Sequence, residues 1–175
     1  VVEIWDLTPT PLDMLVGFSH EKVGEATAEY LVRKGYRRPG LLWTVDNRAA
    51  LRRSGLTDAL ARNGITNPPA VDVALPARFV SGRQGLSDLL NAGEFDVIVC
   101  SSDTLAQGAI VEAQSRGLRV PQDLAVIGLG DLDFAWDTSP SITTVSVDRP
   151  ATGHPEATLL ADRSEGIAPQ DAVVD

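Results

Sequence analysis

Cysteine is nearly missing from this chain: Cys100 stands alone in 175 residues. A single thiol excludes an internal disulfide and any cysteine-only metal cage, and it predicts a reducing, cytoplasmic setting. No apolar run approaches the ~18 residues that span a bilayer, so no transmembrane helix is expected. The opening Val1-Val2-Glu3-Ile4-Trp5 has no basic stretch ahead of an apolar one, and so does not read as a signal peptide. Basic residues are also scarce, 15 against 24 acidic, which leaves a net charge of −9. That balance argues against this polypeptide itself gripping nucleic acid. What remains is 43% hydrophobic and 22% charged, with a mean hydropathy of +0.00. These are the proportions of a globular protein, and the length suits one domain or two small lobes.

Several chemical motifs are absent as well. There is no GxxxxGK[ST], which removes the usual phosphate cradle of nucleotide hydrolases, and no GxSxG elbow. Gly128-Leu129-Gly130 follows a strand-like stretch, but Asp133 occupies the third glycine position of a dinucleotide fingerprint. Ser101, Ser102, Asp103 and His20 have the residue types of a hydrolytic triad. Nothing in the spacing brings that histidine to a serine, so capping serines and a helix-flanking histidine are expected. Asp131 and Asp133 could hold a hard cation, though paired carboxylates in a loop more often cap a helix or face water. No catalytic residues, metal site or cofactor are expected.

What is present is an alternation of strand-like and helix-like stretches. Strands are predicted at Val1–Trp5, Met14–Phe18, Leu41–Val45, Val71–Leu75, Val97–Cys100, Leu124–Leu129 and Ile142–Val147. Helices are predicted at about 20–34, 49–63, 81–92, from Asp103 to Gly117, and at about 151–165. Ser19 caps the first helix and Gly35 ends it. Val97–Cys100 and Ala125–Gly128 are apolar throughout rather than alternating, as in a sheet covered on both faces. The pattern predicts a doubly wound α/β fold with a parallel sheet. Val1 opens directly in a strand, and Ala172–Asp175 reads as the start of another. An unpaired edge is a liability, so the chain is expected to be a piece of a longer one.

In such a sheet, ligands sit beyond the carboxyl ends of the strands. The residues predicted there are Glu3 and Asp6 after the first strand and Asp46, Asn47, Arg48 and Arg52 after Leu41–Val45. Phe79 and Ser81 follow the strand near Val71. Ser101, Ser102 and Asp103 follow Val97–Cys100, and Asp131 and Asp133 follow Leu124–Leu129. Carboxylates pair with vicinal hydroxyls, arginine binds a carboxylate or hydroxyls bidentately, and an aromatic ring packs on a C–H face. The set suits a small polyhydroxylated molecule. Arg52 is predicted in the first turn of its helix, where the dipole disfavours a cation, so another interaction should hold it there. Each acidic residue could equally be a helix cap or a solvated side chain, and Arg52 a simple exposed arginine.

Read in order, several stretches resemble the effector-sensing domain of the lactose-repressor (LacI/GalR) family of transcriptional regulators. They include Val2-Glu3-Ile4-Trp5-Asp6, Gly17-Phe18-Ser19-His20, Tyr30–Tyr36, Leu51–Leu56 and Cys100–Ala109. Gly117–Gly128 and Pro140–Val145 complete the series. The resemblance implies a two-lobed, periplasmic-binding-protein-like fold that closes on an effector, usually a sugar or related metabolite. It also implies a homodimer, and operator DNA bound through an N-terminal helix-turn-helix headpiece that is not in this sequence. Residues 1–15 would belong to the first lobe, 16–146 to the second, and 147–175 would return to the first. Family ligand contacts carry over onto Glu3, Arg52 and Ser102, with Asp6 and Asp103 nearby. Most family members end the strand Leu124–Leu129 with glycine, an aromatic and an effector-binding aspartate. Here Gly130 takes that aspartate's place and Asp131 follows. This departure, with Val-Glu-Ile-Trp-Asp and Gly17-Phe18, is similar to gluconate-type repressors and points to a sugar acid, with Arg52 or Arg48 for its carboxylate. Two other readings stay open: the solute-binding protein of a sugar transporter, and a sugar-modifying enzyme.

Overall fold

Every strand pairing in the described residues is parallel. The computed structural model of the chain describes residues 17–146, together with the backbone of Val2–Ile4, Met14–Val16 and Val173–Val174. Strands β1 (Val2–Ile4), β2 (Met14–Val16) and β8 (Val173–Val174) form one sheet in the order β1-β2-β8. The larger sheet contains β3 (Pro39–Thr44), β4 (Ala70–Val73), β5 (Val97–Cys100), β6 (Ala125–Leu129) and β7 (Thr143–Val145), in the order β4-β3-β5-β6-β7. The doubly wound parallel α/β class is as the sequence predicts. From β3 the chain steps outward to β4, then crosses back to place β5 on the other flank of β3. The direction of winding therefore reverses between β3 and β5, and their carboxyl ends diverge into a crevice there.

Central strands β3 and β5 are buried along their whole length because helices cover both faces. Helices α1 (His20–Lys34) and α2 (Asn47–Arg62) enclose one core with Leu41, Trp43, Val97, Val99 and Ile127. Helices α3 (Phe79–Ala92) and α4 (Asp103–Ser115) enclose the other with Leu42, Ile98, Cys100 and Val126. Successive residues of each strand point to opposite cores, as the period of two requires.

The helix starts follow from capping chemistry. Ser19 Oγ accepts from Lys22 N at 3.2 Å, with Glu21 in the first turn and Arg33 and Lys34 in the last, all favourable to the helix dipole. Asp46 Oδ1 accepts from Ala49 N at 2.8 Å, and Ser102 Oγ from Leu105 N at 3.4 Å. Gly35 ends α1 in the left-handed region, at a φ of 85°.

Two helix starts differ from the sequence prediction, and one short helix is additional. The Asp46 cap starts α2 at Asn47 rather than 49, so Arg52 lies in the second turn and Arg48 in the first. The helix dipole therefore disfavours the charge of Arg48 rather than that of Arg52. Helix α3 starts at Phe79 instead of 81, and a short helix, α5 (Phe134–Asp137), was not anticipated. Val173–Val174 is a strand, as its apolar pair suggests, and joins β2. The helix predicted at 151–165 lies outside the described residues.

Candidate functional site

The crevice between β3 and β5 holds a hollow of about 340 Å³. Asp46, Arg48 and Arg52 reach it from the β3–α2 turn and the first two turns of α2. Ser101 and Ser102 come from the β5–α4 turn, Leu129, Gly130 and Leu132 from the end of β6, and Phe18 and His20 from the start of α1. Three predicted site residues, Arg48, Arg52 and Ser102, are thus brought together by the connections that leave two neighbouring strands, β3 and β5.

The walls are already hydrogen-bonded. Thr44 Oγ1 donates to Asp46 Oδ2 at 2.9 Å, and the second carboxylate oxygen caps α2. Ser101 Oγ accepts from Thr44 N at 3.0 Å and lies 3.1 Å from Thr44 Oγ1, which links the ends of β3 and β5. Arg52 Nη1 stands 3.0 Å from His20 Nδ1, and the Phe18 ring meets that imidazole edge-on with centroids 4.8 Å apart. The hollow therefore presents guanidinium donors, small hydroxyls and one aromatic ring. Groups of these kinds can donate to the oxygens of a compact polar molecule.

Three other predicted residues do not line it. Asp103 is 0% exposed, behind the wall. Its Oδ2 accepts from Leu132 N at 2.8 Å and its Oδ1 from Thr144 Oγ1 at 2.6 Å. Gly128 leaves room for this carboxylate, since a Cβ there would collide with Oδ1. Asp131 has a φ of 50°, and its carboxylate accepts from Trp136 Nε1 at 3.0 Å and Ser146 Oγ at 2.8 Å. Phe79 is drawn into the first position of α3 and is 38% exposed there. Glu3 stands in β1, paired with Leu15, and only its backbone is described; Asp6 lies outside the described residues.

His20 and Phe18 are the residues that the strand-end argument missed. They follow β2, a strand of the smaller sheet, and Gly17-Phe18-Ser19-His20 signalled them only as part of a family resemblance. Nor is the histidine remote from the serines: all three line one hollow. It is Arg52 that His20 Nδ1 addresses, however, while Ser102 Oγ caps α4, so no nucleophile–base pair results. Asp133 accepts from Phe134 N at 3.0 Å as the cap of α5. Among the described residues no group of three or more His, Cys, Asp or Glu could hold a metal ion, and no helix is long and apolar enough to cross a membrane.

Three further hollows lie outside the crevice between β3 and β5. One, of about 250 Å³, lies between α1 and strands β6 and β7. A second, of about 490 Å³, lies on the β4 side of the carboxyl end of β3, where Arg53 and Asp72 already pair at 2.8 Å. Another, of about 210 Å³ beside Ile65, Pro68 and Phe95, lies at the opposite, amino ends of the strands.

Residues 28–174 match the model of the periplasmic binding protein-like domain. The chain belongs to that family. Among similar proteins, this periplasmic binding protein-like domain is 32% identical over 164 residues to the HTH-type transcriptional regulator GntR of Pseudomonas aeruginosa, covering 91% of the chain and 48% of the relative. It is 31% identical to the HTH-type transcriptional repressor CytR of Escherichia coli, over 78% of the chain and 41% of the relative. The structure of the transcription regulator GntR from Chromobacterium violaceum superimposes with a TM-score of 0.90 at 31% identity, covering 98% of this chain and 64% of that one. The domain thus spans about half the length of the curated relatives it matches. Those relatives are regulators of transcription, not enzymes, and the LacI family to which the sequence points is the one that solved neighbours carry in their names.

Proposed function

We propose that this periplasmic binding protein-like domain is the effector-sensing part of a LacI-type transcriptional regulator, and that its hollow takes a small sugar or, preferentially, a sugar acid. The observation that carries this reading is the convergence of Arg48, Arg52 and Ser102 at the point where the sheet reverses its winding. Guanidinium forks match a carboxylate bidentately, hydroxyls match hydroxyls, and the Phe18 ring offers a face for C–H groups. Residues 1–15 and 147–175 would form the first lobe and 16–146 the second; the separation of the strands into two sheets supports such a division, with β2 carrying the smaller sheet on to Val16. In the whole regulator, operator DNA would be contacted by a headpiece outside this chain, and a homodimer in the cytoplasm would set the spacing of two such headpieces. The acidic charge of the sensing domain keeps it off the phosphate backbone.

Binding regulates only if one arrangement of the lobes holds the effector better than another; equal affinity shifts nothing. Calorimetric titration with gluconate is expected to give saturable heat, with neutral sugars weaker. Arg52→Ala is expected to weaken gluconate by about tenfold to a hundredfold, the loss of a charged hydrogen-bond pair, with the fold retained. Heat from neither sugar acids nor sugars overturns the reading.

A further inference from the structure

His20 has a polar ring in a place where a polar ring needs a reason. It is 2% exposed, it opens α1, and it lines the hollow. We propose that His20 is a positioning residue: its Nδ1 accepts a hydrogen bond from Arg52 and holds that guanidinium against the hollow in its ligand-binding orientation. For the ligand it rests on the reading above, but the orientation itself stands on geometry alone.

Three observations converge on it. The first is the Nη1–Nδ1 separation of 3.0 Å. Arginine is always a donor, so the ring nitrogen facing it must be the acceptor, which fixes the proton on Nε2. The second is the Phe18 ring, edge-on at 68° to the imidazole plane, which restrains the ring's rotation. The third is the crossing of α1 over α2. A Cβ on Gly24 would run into the carbonyl oxygen of Arg52, and a Cβ on Gly55 into that of Glu21. The two helices therefore touch backbone to backbone. His20 lies one turn before Gly24 and Arg52 three residues before Gly55, so this close approach brings their side chains within hydrogen-bond reach. An arginine on a four-bond tether loses much rotamer freedom on binding, and a partner that fixes it beforehand removes part of that cost.

The test separates ring, acceptor and ligand. Side-chain ¹⁵N spectra of the ligand-free protein, with the His20 signals assigned by their loss in His20→Phe, are expected to show an unprotonated Nδ1 and a protonated Nε2 at neutral pH. A proton on Nδ1 overturns the proposal. In gluconate titrations, His20→Phe keeps the ring bulk and is expected to weaken binding about tenfold or more. His20→Asn puts an amide oxygen where Nδ1 stands and is expected to recover affinity to within about threefold of the parent. Equal binding by His20→Phe and the parent, or equal loss in His20→Phe and His20→Asn, refutes the positioning role. If the parent protein gives no heat with gluconate, the ligand class fails, and the spectra alone decide on the His20–Arg52 contact.

Discussion

Asp103 and Arg52 show how differently two charged side chains at strand ends are used. Asp103 faces inward, where its oxygens hold Leu132 N and the Thr144 hydroxyl and so brace the Gly130–Leu132 wall of the hollow. Its position at the start of α4 adds the favourable end of the helix dipole. Asp103→Ala leaves both half-buried donors without this acceptor and is expected to cost about 1–3 kcal/mol, read from the denaturant midpoint. A loss below about 0.5 kcal/mol contradicts the bracing role. Cys100 is a second residue with a clear expectation. Burial, and then the neighbouring Asp103 carboxylate, push its thiol far above the ordinary range. It is expected to resist a thiol reagent in the folded protein and to react at once in denaturant; rapid reaction in native buffer counts against the fold around β5. In the sequence, Asp103 and Arg52 looked alike, as polar residues just past a strand. Capping positions were legible, but whether a carboxylate turns toward the ligand or under the next loop depends on Gly128 across the sheet, which no local pattern reports.

At the level of elements, the sequence predicted the order of strands and helices because buried strands are apolar throughout and each helix has one apolar face. Boundaries moved where a cap decided them: Asp46 starts α2 two residues early and so shifts Arg52 into the second turn. The short α5 carries too little periodicity to be seen in advance, with only Ala135 of its four residues buried. The contact of α3 with α4 offers a pH test. Arg116 Nε donates to Glu112 Oε1 at 2.9 Å, and Arg83 Nη2 to Glu112 Oε2 at 3.0 Å, joining the two helices. The Arg116 and then the Arg83 hydrogen bonds hold the Glu112 carboxyl below the usual carboxylate range. A lowered value in the folded state means that stability is present above the unfolded value and is lost as pH falls through the folded one. Glu112→Gln is therefore expected to lower the melting temperature at pH 7, and to narrow the gap to the parent below about pH 4. An unchanged gap across that range contradicts the clamp.

For the whole molecule, the parallel winding does more than enclose two cores. It reverses between β3 and β5 and so makes a crevice at their carboxyl ends, and the loops leaving those strands supply Arg48, Arg52 and Ser102. The strand-end residues were legible, since they follow from the alternation of elements; the point of reversal was not, because alternation along the chain does not set the spatial order of the strands. The contribution of Phe18 and His20 was not, because it depends on how α1 crosses α2 at Gly24 and Gly55, a contact between segments some thirty residues apart. The central claim is that this crevice, rather than the hollows at β4 or at the amino ends of the strands, receives a polar metabolite. It is tested most directly by mapping backbone amide shifts on addition of gluconate. The largest changes are expected at Phe18, Arg48, Arg52, Ser102 and Gly130. Changes centred instead on Ile65, Thr66 and Phe95, at the far end of the sheet, would contradict it.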